Sequence, residues 1–286
     1  MRSLRLIAIP ALLSACHPVQ TSVAPQPAHE VAAALSSDEA SIRDAVSAHY
    51  DSAVDLLRQA VNIPSGTGNL KGVRQVGDLF GARLTALGFE SRWVSMPDSV
   101  RRAGHLVAVH RGGKGPRLLL IGHLDTVFEG AGQEWVREDT VARGAGTSDM
   151  KGGDVAIILA LQALADAGRL KDMNISVIMT GDEESAGNPL SVARATLIDL
   201  ARESDIALAF EGGSATRVAI GRRGSSNWSL DIKARQSHSA GVFSKGAGYG
   251  AAYEAARILD EFRTKLVGER GLTFNVGVMA AGSHVA

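Results

Sequence analysis

The sequence predicts an α/β domain, a sheet covered by helices on both faces, followed by a smaller α+β unit. Two observations carry this. Short apolar runs alternate with segments of helical period, which is the pattern of strands buried on both faces. After Gly221 the texture changes to alternating polar and apolar residues around one further helix, so a domain boundary is placed near residue 221.

Each element follows from its local pattern. From Ser37 onward Ile42, Val46, Tyr50, Val54, Leu57 and Val61 recur at spacings of three and four, with Asp38 and Glu39 in the first turn, so one helix is expected. "IPSGTGN" is a loop, and "GVRQVGDLFGARLTALGF" is a second helix with Gly88 as its C-cap. "HLVAVH" and "RLLLIGH" are strands. "MKGGDVAIILALQALADAG" is a helix ending at Gly168, and "NISVIMT" is a strand. Residues 189–203 read as helical and "DIALAFE" as a strand. In the smaller unit "SSNWSLDIKARQSH" places Trp228, Leu230 and Ile232 on one face of a strand. A helix follows over about residues 247–266, and "LTFNVGVMAAG" closes as a strand.

Composition narrows the function classes. With 45% hydrophobic residues over 286 positions the chain can bury a sizeable core and is not a disordered segment. Lysine plus arginine equals aspartate plus glutamate at 30 each, so the basic excess of a nucleic-acid-binding domain is missing.

The first residues read as a targeting segment. Arg2 and Arg5 precede the short apolar run "LIAIPALLSA", which suits a secretory signal over residues 1–15 and is too short to span a bilayer as a helix. Cys16 is the only cysteine, which excludes an intrachain disulfide. It follows Leu13-Ser14-Ala15, a resemblance to the bacterial lipobox, where cleavage before the cysteine exposes it for lipidation. An ordinary cleaved signal or an uncleaved anchor are the alternatives. Residues 16–37, rich in Pro, Ala, Ser and Gln, form a flexible tether. A lipoprotein of the periplasm and cell envelope is expected, and His17 in place of aspartate points to the outer membrane.

Four expected strand ends carry residues that metals favour. "LLLIGHLDTV" presents His123 and Asp125, and "RGAGTSDMKGG" presents Asp149 just before a helix. "TGDEES" presents Glu183 and Glu184, and "ALAFEGG" presents Glu211. Sheets of this class place their sites beyond the carboxyl ends of the strands. Imidazole nitrogen and carboxylate oxygen are both good zinc ligands. Each motif also has a plainer reading: a strand-end turn with a capping aspartate at Asp125, an N-cap at Asp149, acids at a solvated helix start for Glu183 and Glu184, and a loop acid at Glu211. The glycines of "GAGTSDMKGG" lack the spacing of a phosphate-binding loop.

Taken together and in order, "GHLDTVFEG", "RGAGTSDMKGG", "TGDEESAG" and "FEGG" resemble the M20 family of zinc peptidases and amidohydrolases, in its glutamate carboxypeptidase-like branch, over about residues 40–286. The resemblance implies a zinc-peptidase-like mixed sheet flanked by helices over residues 38–220, with an inserted lid and dimerisation domain beginning at 221–286. It implies hydrolysis of an amide bond in a small peptide or N-acyl amino acid, with two Zn²⁺ in a complete site. His123 resembles a ligand of the first metal, Asp149 the bridging carboxylate, Glu184 a ligand of the second metal and Glu211 a ligand of the first. Asp125 resembles the carboxylate that orients the His123 imidazole, and Glu183 the general base. Asp182 is left to support the loop. His238, in "RQSHSAG", matches a lid histidine that helps stabilise an oxyanion in relatives, often across a dimer interface, so a homodimer is implied as well.

The sequence departs from the family pattern in one respect. The family continues past position 286 with the rest of the lid and a further histidine for the second metal, which the second site therefore lacks here. His284 lies in the wrong element for that role. The alternative expectation is an inactive truncated fragment that binds at most one metal.

Overall fold

The computed structural model describes residues 34–213 and 217–281. Its two compact units divide between Gly212 and Gly213, so the texture change near residue 221 lies inside the second unit.

The first unit begins with α1, Ser37–Ala48, opened by a capping box between Ser36 and Glu39. The apolar period read through to Val61 belongs to two helices and not one. The chain breaks at His49, where φ is −95° and ψ 2°, and resumes as α2, Tyr50–Val61. His49 lies 2.5 Å from an Asp166 oxygen, and Arg169 pairs with Asp38. Both helices lie on α4, Lys151–Asp166, so one apolar period serves two segments. At the end of α2 the buried Lys151 donates from Nζ to Ala60 O and Ile63 O, 2.9 Å each. This places a cation at the C-terminal end of the helix, where Ala60 O also accepts from Ile63 N at 3.1 Å. The helix α3, Leu70–Ala86, is capped by Asn69, whose side chain accepts from Gly72 N. It ends as expected at Gly88, whose φ of +87° favours a residue without Cβ.

The central sheet contains β1 (Glu90–Val94), β2 (His105–Arg111), β3 (Lys114–His123), β6 (Met173–Thr180) and β7 (Ile206–Ala209), in the order β1-β2-β6-β3-β7. β3 runs parallel to both β6 and β7, while β2 is antiparallel to β6 and to β1, so the sheet is mixed. β1, "ESRWV", is an edge strand with alternating exposure and carries no apolar run that would announce it. A small hairpin, β4 (Val136–Glu138) with β5 (Val141–Arg143), is equally silent in sequence. Its turn holds Asp139 at φ +54°.

Both faces of the sheet are covered. On one face α2, α3 and α4 bury Leu56, Val73, Phe80, Leu84, Ile157 and Leu161 against Leu106, Ala108, Leu120, Val177 and Met179. On the other, Val107, Leu119 and Ile178 meet Leu197 and Leu200 of α6, Ala195–Arg202. Val177, Ile178 and Met179 alternate between the faces, as strand pleating requires. The helical stretch read over 189–203 is interrupted at Arg194, after the short α5, Leu190–Ala193.

The second unit contains α7, Gly250–Lys265. Ser225–His238 and the residues from Leu272 on, read as strands from their alternation, form no ladder among the described residues. The two runs line an open cleft of about 2050 Å³, with Trp228, Leu230, Tyr253 and Phe274 on its walls. Alternation fixes which side chains share a face but not whether a neighbour lies within hydrogen-bonding reach. Trp228 instead meets Phe262 of α7 edge-on at 5.9 Å.

Candidate metal centre

The parallel register explains why three carboxylates crowd after an apolar strand. His123 pairs with Thr180 across β3 and β6, and Ile121 pairs with Ala209 across β3 and β7. The carboxyl ends of all three strands therefore open on one edge. His123 ends β3, the 181–187 loop leaves β6, Glu211 follows β7, and Asp149 immediately precedes α4.

At this edge His123 is 1% exposed. Its Nε2 lies 3.0 Å from Asp149 Oδ1, 3.7 Å from Glu211 Oε1 and 4.0 Å from Glu183 Oε2. One ligand atom from each of His123, Asp149 and Glu211 falls within 4.8 Å of the others. The floor is buried and the mouth is open, since the side chains of Asp149 and Glu183 are 67% and 51% exposed. Burial works against a proton on His123. The hydrogen bond and charge of Asp125, with Asp154 and Glu211 behind them, outweigh it and hold the imidazole pKa up at about 10. The site therefore strongly favours positive charge. An imidazole nitrogen facing two carboxylates is a donor set that suits zinc, and the geometry fits such an ion.

Asp125 is fully buried and works mainly on the chain. Its Oδ2 accepts from Thr67 Oγ1 at 2.6 Å and from Glu184 N at 3.1 Å, while Oδ1 accepts from Glu183 N at 3.0 Å. Burial pushes its carboxyl up, but His123 and these donors prevail and hold it below the usual range. The His123 ring is oriented at Nδ1 by the main-chain oxygen of Asp125, 3.0 Å away, with Asp125 Oδ1 at 3.5 Å. Glu184 stands outside the three-residue group. Burial first, and then the charge of Asp149, raises its carboxyl above the ordinary value.

The remaining acid of the triplet holds the loop. Asp182 is buried, accepts from Arg194 Nη1 at 2.7 Å and from Gly187 N at 2.8 Å, and its carbonyl accepts from Arg194 Nη2 at 3.0 Å. His238 lies in the second unit, exposed, and accepts from Ala240 N at Nδ1. Cys16, the signal segment, most of the tether and His284 lie outside the described residues. His105 and His110 are structural. His105 is buried in β2, and His110 meets the Phe89 ring at 5.3 Å.

Sequence reasoning passed over Asp154. It is fully buried on α4, and neither carboxylate oxygen has a hydrogen-bond partner. The signal was available: an aspartate stands immediately before "VAIILALQAL", on the buried side of a helix whose buried residues beyond it are all aliphatic.

Comparison with known proteins gives the family and the fold. The family model described as Peptidase family M20/M25/M40 matches residues 119–274, more than half of the 286. Carboxypeptidase G2 of Pseudomonas sp. (strain RS-16) is 29% identical over 237 residues, covering 80% of this chain and 55% of that protein. Succinyl-diaminopimelate desuccinylase of Novosphingobium aromaticivorans is 35% identical over 203 residues, covering 65% and 51%. The chain thus spans about half the length of the curated relatives it matches. The di-peptidase Dug1p of Saccharomyces cerevisiae superposes with a TM-score of 0.50 at 18% identity, over 59% of this chain and 40% of that one, a likeness of fold.

Proposed function

Because this chain belongs to the peptidase family M20/M25/M40, we propose that it hydrolyses an amide bond in a small peptide or N-acyl amino acid, using zinc held at the carboxyl edge of its sheet. The observation that carries this is the convergence of His123, Asp149 and Glu211 within 4.8 Å, with the Glu183 carboxylate at the same imidazole. A relative named a carboxypeptidase and another named a desuccinylase both support amide hydrolysis as the reaction class.

His123, Asp149 and Glu211 would hold the ion, which when bound supplies a Lewis acid for the scissile carbonyl and lowers the pKa of water toward neutrality. Asp149 and Glu184 are the residues offered to a second ion. Glu183 accepts a proton from water as the water oxygen bonds to the carbonyl carbon, and then returns it to the amine nitrogen, which leaves as the C–N bond breaks and the carbonyl re-forms. Its main-chain N–H, fixed on Asp125, positions it for this. His238 would offer an imidazole donor to the oxygen that gains charge. Outside the described residues, Cys16 would anchor the protein to the outer membrane by lipid. Cys16→Ser should then shift the protein from membrane to soluble fractions, and unchanged partitioning would remove the anchor.

The test pairs zinc counting with a panel of N-acyl glutamates and dipeptides. Glu183→Ala should retain its zinc and lose about 10²–10⁴-fold in kcat. The position of Glu184 outside the ligand group favours a second reading, a chain that binds one metal and does not turn over. One zinc per wild-type chain with no hydrolysis of any substrate would select that reading.

A further inference from the structure

Helix α4 places a carboxylate where its pattern calls for an aliphatic side chain. Asp154 is fully buried one turn beyond Asp149, and neither of its oxygens meets a hydrogen-bond donor. The nearby ammonium of Lys151 is directed elsewhere, to the carbonyls of Ala60 and Ile63. The chain makes room for this carboxylate at one point. A Cβ at Gly122 would lie 2.0 Å from Asp154 Oδ1, so any side chain there would have to displace the carboxylate, and Gly122 is the residue before His123. Asp154 is thus packed against the backbone that carries the buried ligand. Burial pushes its carboxyl well up and the charge of Glu211 adds to this, against the opposing charge of His123, so its ionised form depends on a cation nearby.

A carboxylate buried without a partner is costly, and such groups persist where a cation or a bonded network compensates them. The compensating charge at this position is the one that His123, Asp149 and Glu211 are arranged to receive. We propose that Asp154 is a positioning residue of the metal centre, a buried negative charge against the Gly122–His123 backbone that raises the affinity of the site for a divalent cation. The proposal rests on the reading that His123, Asp149 and Glu211 hold a metal. It has an unusual corollary: the residue that strengthens metal binding does not stabilise the metal-free domain.

Asp154→Asn keeps the size and removes the charge. In the purified full chain, zinc affinity measured by competition with a chromogenic chelator should weaken about tenfold or more, as for other residues that act through a ligand. The metal-free melting temperature should be no lower than that of wild type. Zinc affinity within about twofold of wild type in a folded variant would overturn the proposal, as would a lowered metal-free melting temperature with affinity retained, since that is a packing role. If Asp154→Asn does not fold, Asp154→Leu repeats both measurements, and failure of both variants to fold would make Asp154 a fold residue only. Absence of zinc binding by wild type would refute the metal reading itself, whereas equal binding by wild type and variant refutes only the role of Asp154.

Discussion

His105 shows how one buried ring can make the loop behind the site sensitive to acid. Its Nε2 lies 3.1 Å from Ala193 O and its Nδ1 accepts from Gly181 N at 3.3 Å, so the neutral ring with the proton on Nε2 satisfies both. A second proton on Nδ1 would face an N–H. Burial holds the ring's pKa below its ordinary value, against the opposing charge of Asp182. An unfolded histidine titrates near 6.5, so below that pH the unfolded chain binds the extra proton while the fold does not. The stability contributed by the neutral ring is therefore complete above about 6.5 and is lost as pH falls through the window below it, at up to about 1.4 kcal/mol per pH unit. The wild-type advantage over His105→Asn in urea unfolding should shrink from about pH 7.5 to about pH 5.5. A flat or growing advantage would refute this. The same scale shows what single positions concealed. Asp125 was legible as an acid two residues from His123, but its principal bonds, to Thr67 and to the amides of Glu183 and Glu184, join segments far apart in sequence. No local pattern encodes such partners.

At the scale of elements, the apolar runs and the acids that follow them were legible because both are local. β3, β6 and β7 and the residues at their ends stand where the pattern puts them. The edge strand β1 and the β4–β5 hairpin were not legible, since half-exposed strands carry mixed residues and owe their pairing to a neighbour. The break at His49 was hidden because the apolar faces of α1 and α2 both meet α4. The loop after β6 is an element in its own right, tied by Asp182 to Arg194 between α5 and α6. Asp182 is buried and Arg194 partly so, which makes the pair costly to break by removing the arginine. Arg194→Ala should destabilise the first unit by about 3 kcal/mol, because it strands a buried carboxylate. Arg194→Ala with Asp182→Asn should recover part of that loss. Urea midpoints of the single and double variants test this, and equal destabilisation by both would show that the pair does not act as a unit.

At the scale of the whole molecule, the residues offered to the ion all belong to one compact unit. His123, Asp149 and Glu211 precede the division at Gly212, and they come from separate segments that only the folded sheet brings together. Zinc should therefore bind the folded first unit and have little affinity for its unfolded chain, and its binding energy becomes stability of that unit. With free zinc at about a hundred times Kd the gain is about 2.7 kcal/mol. For a unit of this size each kcal/mol moves the melting temperature by roughly 2–4 °C, so chelation should lower that transition by roughly 5–10 °C. Hydrogen exchange supplies the spatial half of the test. Added zinc should slow exchange at the amides of β3, β6 and the 181–187 loop, and leave α7 of the second unit, which holds none of these ligands, at its metal-free rate. Protection confined to the second unit, or a melting temperature that ignores chelation, would remove the metal from the carboxyl edge of the sheet.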